Sequence, residues 1–158
     1  INSGFNLRPM DLTAAIGLSQ FKRLDAMMKI RSHNRDKIIN KIKNSNSWNG
    51  QFNFFYPSKN VKPSWFGLPI IINNSTKTNK DNFLNYLNNK GIETRPILSG
   101  NFLNQPSAKL YKLNKKIKFK NSQLIEDSGF FIGLPTEPIS NNKLDFLCSK
   151  LMDIKKFV

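Results

Sequence analysis

From Leu12 to Ile42 apolar side chains return at mostly helical spacing (Leu12, Ala15, Ile16, Phe21, Leu24, Met28, Ile38, Ile42), and after Gly17 no Pro or Gly interrupts them as far as Lys43. That pattern predicts one long helix, or two end to end, from about Pro9 to about Lys43. Pro9 suits the first turn, where its missing N–H has no partner to lose, and Asp11 adds a negative charge where the helix dipole favours one. The small residues Ala14, Ala15 and Gly17 let a second backbone come close near the helix start, which implies interface or core packing there.

The chain after that helix changes character. Asn, Ser and Gly dominate 44–51 and end it, since these residues favour turns. A short strand is expected at 52–56. A second, at 65–72, is apolar enough for the centre of a sheet, although Pro69 argues for an irregularity or an edge. Phe83, Leu84 and Leu87 predict a helix over 79–89, closed by Gly91 as a left-handed cap. Further elements are expected as a strand at 92–98, a turn at 99–101, a basic loop, a short helix at 122–128 and a strand at 130–134. A final helix over 141–157 carries Leu144, Leu147, Leu151 and Ile154 on one face. The fold class is α/β, in the form of an α+β small domain: a long N-terminal helix, then a small mixed sheet packed with helices. Residues 1–44 form the connecting helix and its lead-in, and 45–158 the small domain; no repeat or long linker divides the latter.

The 158 residues include one Cys, and 39% of them are hydrophobic, which is enough for a globular core without a disulfide. The longest apolar runs fall far short of the roughly 20 residues needed to cross a bilayer. A reducing, cytoplasmic setting is therefore expected, with no membrane partner. The chain starts at Ile1 without an initiator Met or a signal-like pattern, which reads as the interior of a longer polypeptide. A net charge of +15 raises the question of nucleic acid. The basic residues, mostly Lys, are scattered among Ile and Asn, which fits a solvated surface better than a binding stripe. Lys109, Lys112, Lys115, Lys116, Lys118 and Lys120 are the exception, a cluster able to attract a phosphate or to serve as a solvent-facing loop.

No complete catalytic set is visible. His33 is the only histidine and reads as a helix-surface group; Cys148 reads as a buried small hydrophobe. Asp25, Asp36, Glu126 and Asp127 read as helix-surface charges, and metal or Cys-His chemistry lacks ligands.

The opening Gly4-Phe5-Asn6-Leu7-Arg8, followed by Ala14-Ala15-Ile16-Gly17-Leu18-Ser19-Gln20-Phe21, closely resembles the G-x-N-x-R and AA-x-G-x-x-Q-L blocks of the DegT/StrS aminotransferase-like family. Later blocks continue the resemblance in order: Pro63-Ser64-Trp65-Phe66-Gly67-Leu68-Pro69-Ile70, then Gly91-Ile92-Glu93-Thr94-Arg95-Pro96, Gln105-Pro106, and Ser128-Gly129-Phe130-Phe131-Ile132-Gly133-Leu134-Pro135. These look like the subgroup containing CDP-4-keto-6-deoxyglucose 3-dehydrase. Sugar aminotransferases of the family usually carry Pro-Leu-His after the Thr-Arg-Pro strand; here the step is Leu98-Ser99-Gly100-Asn101, which favours the dehydrase branch.

The resemblance implies the C-terminal domain of a fold-type I enzyme dependent on pyridoxal 5'-phosphate or pyridoxamine 5'-phosphate. It implies a homodimer with an active site shared between subunits, a nucleotide-sugar substrate and a possible reductase partner. Asn6 matches the residue that reaches the cofactor phosphate of the neighbouring subunit, and a turn role is its alternative. Arg8 matches an arginine that makes an anion contact or an interface ion pair. Arg95, Ser99, Asn101 and Trp65 fall in substrate-binding blocks; the alternatives are a sheet-end ion pair for Arg95, a turn role for Asn101 and core packing for Trp65. The cofactor-bonded lysine of the aminotransferases, or the histidine replacing it in the dehydrases, is expected upstream of Ile1 with the large cofactor-binding domain, so no catalytic residue is assigned here. The implied function is a nucleotide-sugar 3-dehydrase, with a sugar aminotransferase as the near rival. A basic nucleic-acid-binding module or a dimerisation module is the alternative of another class.

Overall fold

A computed structural model describes residues 10–73, 79–111, 113 and 118–157. The expected long helix is two helices end to end, α1 (Asp11–Phe21) and α2 (Leu24–Lys43). The Arg23 N–H bonds back three residues to the Gln20 carbonyl at 2.9 Å, which closes α1, and its own carbonyl takes the Met27 N–H to begin α2. The two helices have opposite fates. On α2, Asn34, Arg35, Ile38, Ile39 and Ile42 recur at steps of three and four and are all buried. On α1 nothing is buried; Leu18 and Phe21 are 70% and 71% exposed. The close approach expected at Ala14, Ala15 and Gly17 has no partner within the described residues, and space is open around Gly17.

Among the described residues four strands follow: β1 (Phe52–Phe54), β2 (Gly67–Ile72), β3 (Thr94–Arg95) and β4 (Gly129–Gly133), in the spatial order β1-β2-β4-β3. Every pairing is antiparallel, where a mixed sheet was expected. β2 is central as predicted, and its register explains Pro69. β1 pairs only with Ile70, Ile71 and Ile72, so β2 is an edge on that side from Pro69 back. A missing N–H is tolerated there. β3 is only two residues long, not the seven expected over 92–98. It is an edge strand paired with Ile132 and Phe131, and Pro96 follows at once without a ladder donor.

Three further helices lie among the described residues: α3 (Lys80–Asn89), α4 (Lys120–Ser128) and α5 (Asn141–Met152). The Asn79 side chain caps α3 by accepting the Asn82 N–H at 3.1 Å. Gly91, at φ 78°, takes the left-handed position expected of it after α3. Two 3-10 turns, Phe102–Asn104 and Pro106–Leu110, occupy part of the expected basic loop. The final helix tightens into a 3-10 turn at Asp153–Phe157 instead of running on as α-helix. Among the described residues no helix is long and apolar enough to cross a membrane.

Successive strand residues face opposite ways, which gives the sheet a fully covered side and a more open one, buried at Ile71 and Gly129 beside the end of α4. The covered side carries Phe52, Leu68, Ile70, Ile72, Phe130 and Ile132, all buried. Phe83 of α3 is the keystone, with ring centroids 6.3 Å from Phe52, 6.1 Å from Phe130 and 5.6 Å from Phe157. Cys148 of α5 lies in this core as expected, and burial pushes its thiol up to about 11. On the other side stand Pro69, Phe131 and Arg95, in register across β2, β4 and β3.

Asn34 fastens α2 to the segment 135–139. Its amide donates to the carbonyls of Pro135 (3.1 Å) and Glu137 (2.8 Å), and its oxygen accepts the Ile139 N–H (3.0 Å). It is fully buried, so removing it strands three main-chain groups away from water. Asn34→Ala is expected to destabilise the domain by about 3 kcal/mol in urea unfolding. Asp153 supplies an acid-sensitive tie. Burial alone would raise its pKa, but the Lys156 ammonium at 2.6 Å, the Tyr86 hydroxyl and the Lys150 charge outweigh it and hold the carboxyl below its ordinary 3.8. A depressed folded pKa stabilises above the unfolded value and loses that contribution as pH falls through the folded one. The stability gap between the parent and Asp153→Asn should therefore be full near neutrality and shrink below pH 3.8.

Candidate functional site

The segment 98–105 leaves edge strand β3 and turns back under α4. Gly100, at φ 64°, makes the turn, with its N–H on the Ile97 carbonyl at 3.0 Å. The Glu126 carboxylate lies directly beneath: a Cβ on Gly100 would sit 2.9 Å from Glu126 Oε2. Oε2 accepts the Asn101 N–H at 2.7 Å, and Oε1 accepts the Asn104 amide at 2.9 Å. One turn earlier on α4, Gln123 Oε1 accepts both the Asn101 amide (2.9 Å) and the Asn104 amide (3.1 Å). The Asn101 oxygen in turn caps the first 3-10 turn through the Leu103 N–H at 3.2 Å. Those hydrogen bonds to Asn104 and Asn101 hold the Glu126 carboxyl below its ordinary range, against a smaller opposing effect of burial and with help from the Lys80 charge.

This arrangement uses the Asn101 side chain to shape the turn. Ser99 is exposed, and its carbonyl accepts the Gln105 amide at 3.1 Å. Leu98 is 87% exposed beside it. A cavity of ≈ 340 Å3 adjoins the turn, with Phe102, Leu103, Leu113 and Phe119 in its wall.

Arg95 stands nearby on the open face of the sheet, and its exposed guanidinium reaches the Glu93 carboxylate at 2.7 Å. Trp65 belongs to a second cluster. Its backbone is left-handed, at φ 46°, a conformation bulky residues avoid, and the buried Arg35 is stacked on its ring at 4.4 Å. The Arg35 guanidinium also lies over the Tyr56 ring, 5.0 Å from its centroid. Its fork is held by Asp36 at 2.6 Å and by the Phe55 carbonyl. Trp65 also packs against the core, as its structural alternative anticipates. Its neighbour Phe66 is turned outward, 65% exposed, tilted on Phe131 at 6.2 Å with Arg31 at 5.8 Å over its ring.

Asn6 and Arg8, with the Gly4–Arg8 motif, lie outside the described residues, as do Lys112, Lys115 and Lys116 of the basic cluster. His33 is exposed on α2 as expected. Among the described residues no group of His, Cys, Asp and Glu is arranged to hold a metal ion. Sequence reasoning missed Glu126, which is half-buried and bonded instead of a free surface charge, and it missed Gln123, Asn104 and Arg35 altogether. The available signal was the Gln123/Glu126 spacing of three, which puts both polar groups on one face of a short helix.

The model of the DegT/DnrJ/EryC1/StrS aminotransferase family matches residues 1–150. A GDP-4-keto-6-deoxy-D-mannose 3-dehydratase of Escherichia coli is 30% identical over 131 residues, 82% of this chain and 32% of that protein. A lipopolysaccharide biosynthesis protein, RfbH, of Salmonella typhimurium is 26% identical over 147 residues, 93% of this chain and 33% of its own length. Among solved structures, E. coli GDP-4-keto-6-deoxy-D-mannose-3-dehydratase with bound hydrated PLP superposes with a TM-score of 0.77 at 27% identity, covering 96% of this chain and 37% of that one. The chain thus spans about a third of the length of the relatives it matches.

The Arg35 cluster makes its own prediction. Arg35→Lys keeps the charge but loses the planar fork and the stacking surface that hold Trp65 in place. The variant should lose about 2 kcal/mol of stability, and the Trp65 fluorescence should shift to the red as its ring becomes wetter.

Proposed function

Since the chain belongs to the DegT/DnrJ/EryC1/StrS aminotransferase family, we propose that the intact protein is a nucleotide-sugar 3-dehydratase, dependent on pyridoxamine or pyridoxal 5'-phosphate and acting on a 4-keto-6-deoxy sugar nucleotide. The observation that carries this reading is the match, in sequence and in fold, to the E. coli 3-dehydratase over nearly the whole chain. The Leu98-Ser99-Gly100-Asn101 step, where aminotransferases usually carry Pro-Leu-His, supports it, as does the likeness to a lipopolysaccharide biosynthesis protein. Deoxysugar synthesis for a surface polysaccharide, in the cytoplasm, fits both. Some dehydrases of this kind need a reductase partner, which supplies the electrons that loss of water does not. Family membership accounts for the chain without a nucleic-acid role for its positive charge.

The cofactor, when bound, supplies an electron sink next to the sugar C4. This chain's residues bind and orient. Asn6 and Arg8 are assigned to the cofactor phosphate of the neighbouring subunit. They immediately precede α1, whose first residue follows an N-cap, Met10, that makes no side-chain bond to the open N–H groups there. The exposed Leu12, Ile16, Leu18 and Phe21 of α1 supply the apolar surface that a homodimer or a large domain, expected upstream, would cover. Arg95 can exchange its exposed Glu93 partner for a phosphate or sugar oxygen, since an exposed ion pair is weak. Ser99 offers a hydroxyl from the turn, Asn101 gives that turn its shape, and Trp65 walls the nucleotide side.

A sugar aminotransferase is the second reading, favoured by the breadth of the family itself. Borohydride treatment of the full-length protein with pyridoxal phosphate separates the two. The dehydratase is expected to show no added mass on intact-mass analysis and to retain pyridoxamine phosphate noncovalently. A stable cofactor increment would mean a cofactor-bonded lysine, and the aminotransferase reading would replace it.

A further inference from the structure

Glu126 is an acid whose carboxylate is engaged by amides. Among the described residues no Lys or Arg forms an ion pair with it; the Asn101 N–H and the Asn104 side-chain amide take its two oxygens at 2.7 and 2.9 Å. Both donors belong to one short segment, 98–105. Gly100 lies flat on the Glu126 side chain, close enough that a Cβ would meet its Oε2, Cβ and Cγ at 2.9, 3.0 and 3.1 Å. Gln123 repeats the grip from the preceding turn, and its own amide is fixed by Asp127 at 2.8 Å, so its oxygen can only point at the two asparagines. The Lys80 ammonium on the Glu126 main-chain carbonyl ties this end of α4 to α3.

Among the described residues the side-chain hydrogen bonds that reach this segment from another element come from α4. The segment's α4 side is consumed by hydrogen bonds, while Leu98 and Ser99 on the same turn are exposed. A carboxylate suits that grip better than a neutral acceptor, because it takes two N–H donors at once in charge-assisted bonds and offers no hydrogen that would oppose them. We propose that Glu126 is a positioning residue for substrate: from behind, it fixes the turn 98–105 so that the Ser99 hydroxyl and the neighbouring main-chain groups meet the nucleotide-sugar in one geometry. This rests on the reading of 98–105 as a substrate-binding turn.

The test uses the full-length protein with GDP-4-keto-6-deoxy-D-mannose, together with amide hydrogen exchange over 98–105. Glu126→Gln keeps the size but places an NH2 against one of the two donors; Glu126→Asp keeps the charge. For Glu126→Gln the expected result is a KM raised about tenfold with kcat within about twofold, as loss of positioning in the bound ground state requires. Exchange should quicken in 98–105 alone, and Glu126→Asp should recover most of the KM. An unchanged KM despite quickened exchange would overturn the proposal, because the turn would then be held but not used. Unchanged exchange would overturn it too, as would a global loss of protection that Glu126→Asp fails to rescue. If the parent neither binds nor converts this sugar nucleotide, KM is read with the CDP-linked and dTDP-linked 4-keto-6-deoxy sugars. Failure on all three overturns the dehydratase reading and with it a substrate role for Glu126, while quickened exchange in Glu126→Gln would still register its hold on the turn.

Discussion

The domain hangs on one covered sheet face, closed by buried side chains of α2, α3, α5 and the C-terminal turn. Phe83, fully buried, meets rings from β1, from β4 and from the C-terminal turn, so one residue joins three parts of the chain that are distant in sequence. Aromatic pairs of this kind contribute beyond their buried area, and they fix the angle at which α3 lies on the strands. Once α3 is set, Gly91 and β3 follow directly from its end, and the open face of the sheet acquires its order of Pro69, Phe131 and Arg95. What the site offers to solvent is thus decided from the opposite side of the sheet.

Two polar anchors then translate that rigidity outward. Asn34 carries it from α2 to the segment after β4, and Arg35, one position on, carries it to Trp65. A buried guanidinium is costly to desolvate. Two rings, a carboxylate and a carbonyl offset that cost here, and among the described residues Nε alone is buried without a hydrogen-bond partner. The left-handed backbone at Trp65 is held by that cluster, and it turns Phe66 out onto the open face.

Sequence periodicity made the regular elements legible, and their ends less so. The α2 and α5 faces, the Gly91 cap and the centrality of β2 all follow from local pattern, because each depends on residues within a turn or two of one another. The break at Arg23 was left open by periodicity, since apolar spacing runs through it. β3 was overestimated because Ile92 and Ile97 look like strand residues, whereas Pro96 and the sheet edge limit pairing to two positions. The site divides the same way. Arg95 and Trp65 were picked out by the family blocks, and their ion-pair and packing alternatives describe contacts that exist. Glu126 was read as a surface charge because its partners lie 22 and 25 residues away, beyond any local rule.

The burial of Cys148 has a practical side. It is the only cysteine in the chain, and with its thiol pushed up to about 11 only about one molecule in ten thousand carries a thiolate at neutral pH. Within this chain, then, maleimide and similar reagents meet a silent background. A single cysteine introduced on the exposed side of α1, or one beside the 98–105 turn, would be the one reactive thiol of this chain, and the distance between the labels on two copies would report on how the domain sits in its assembly.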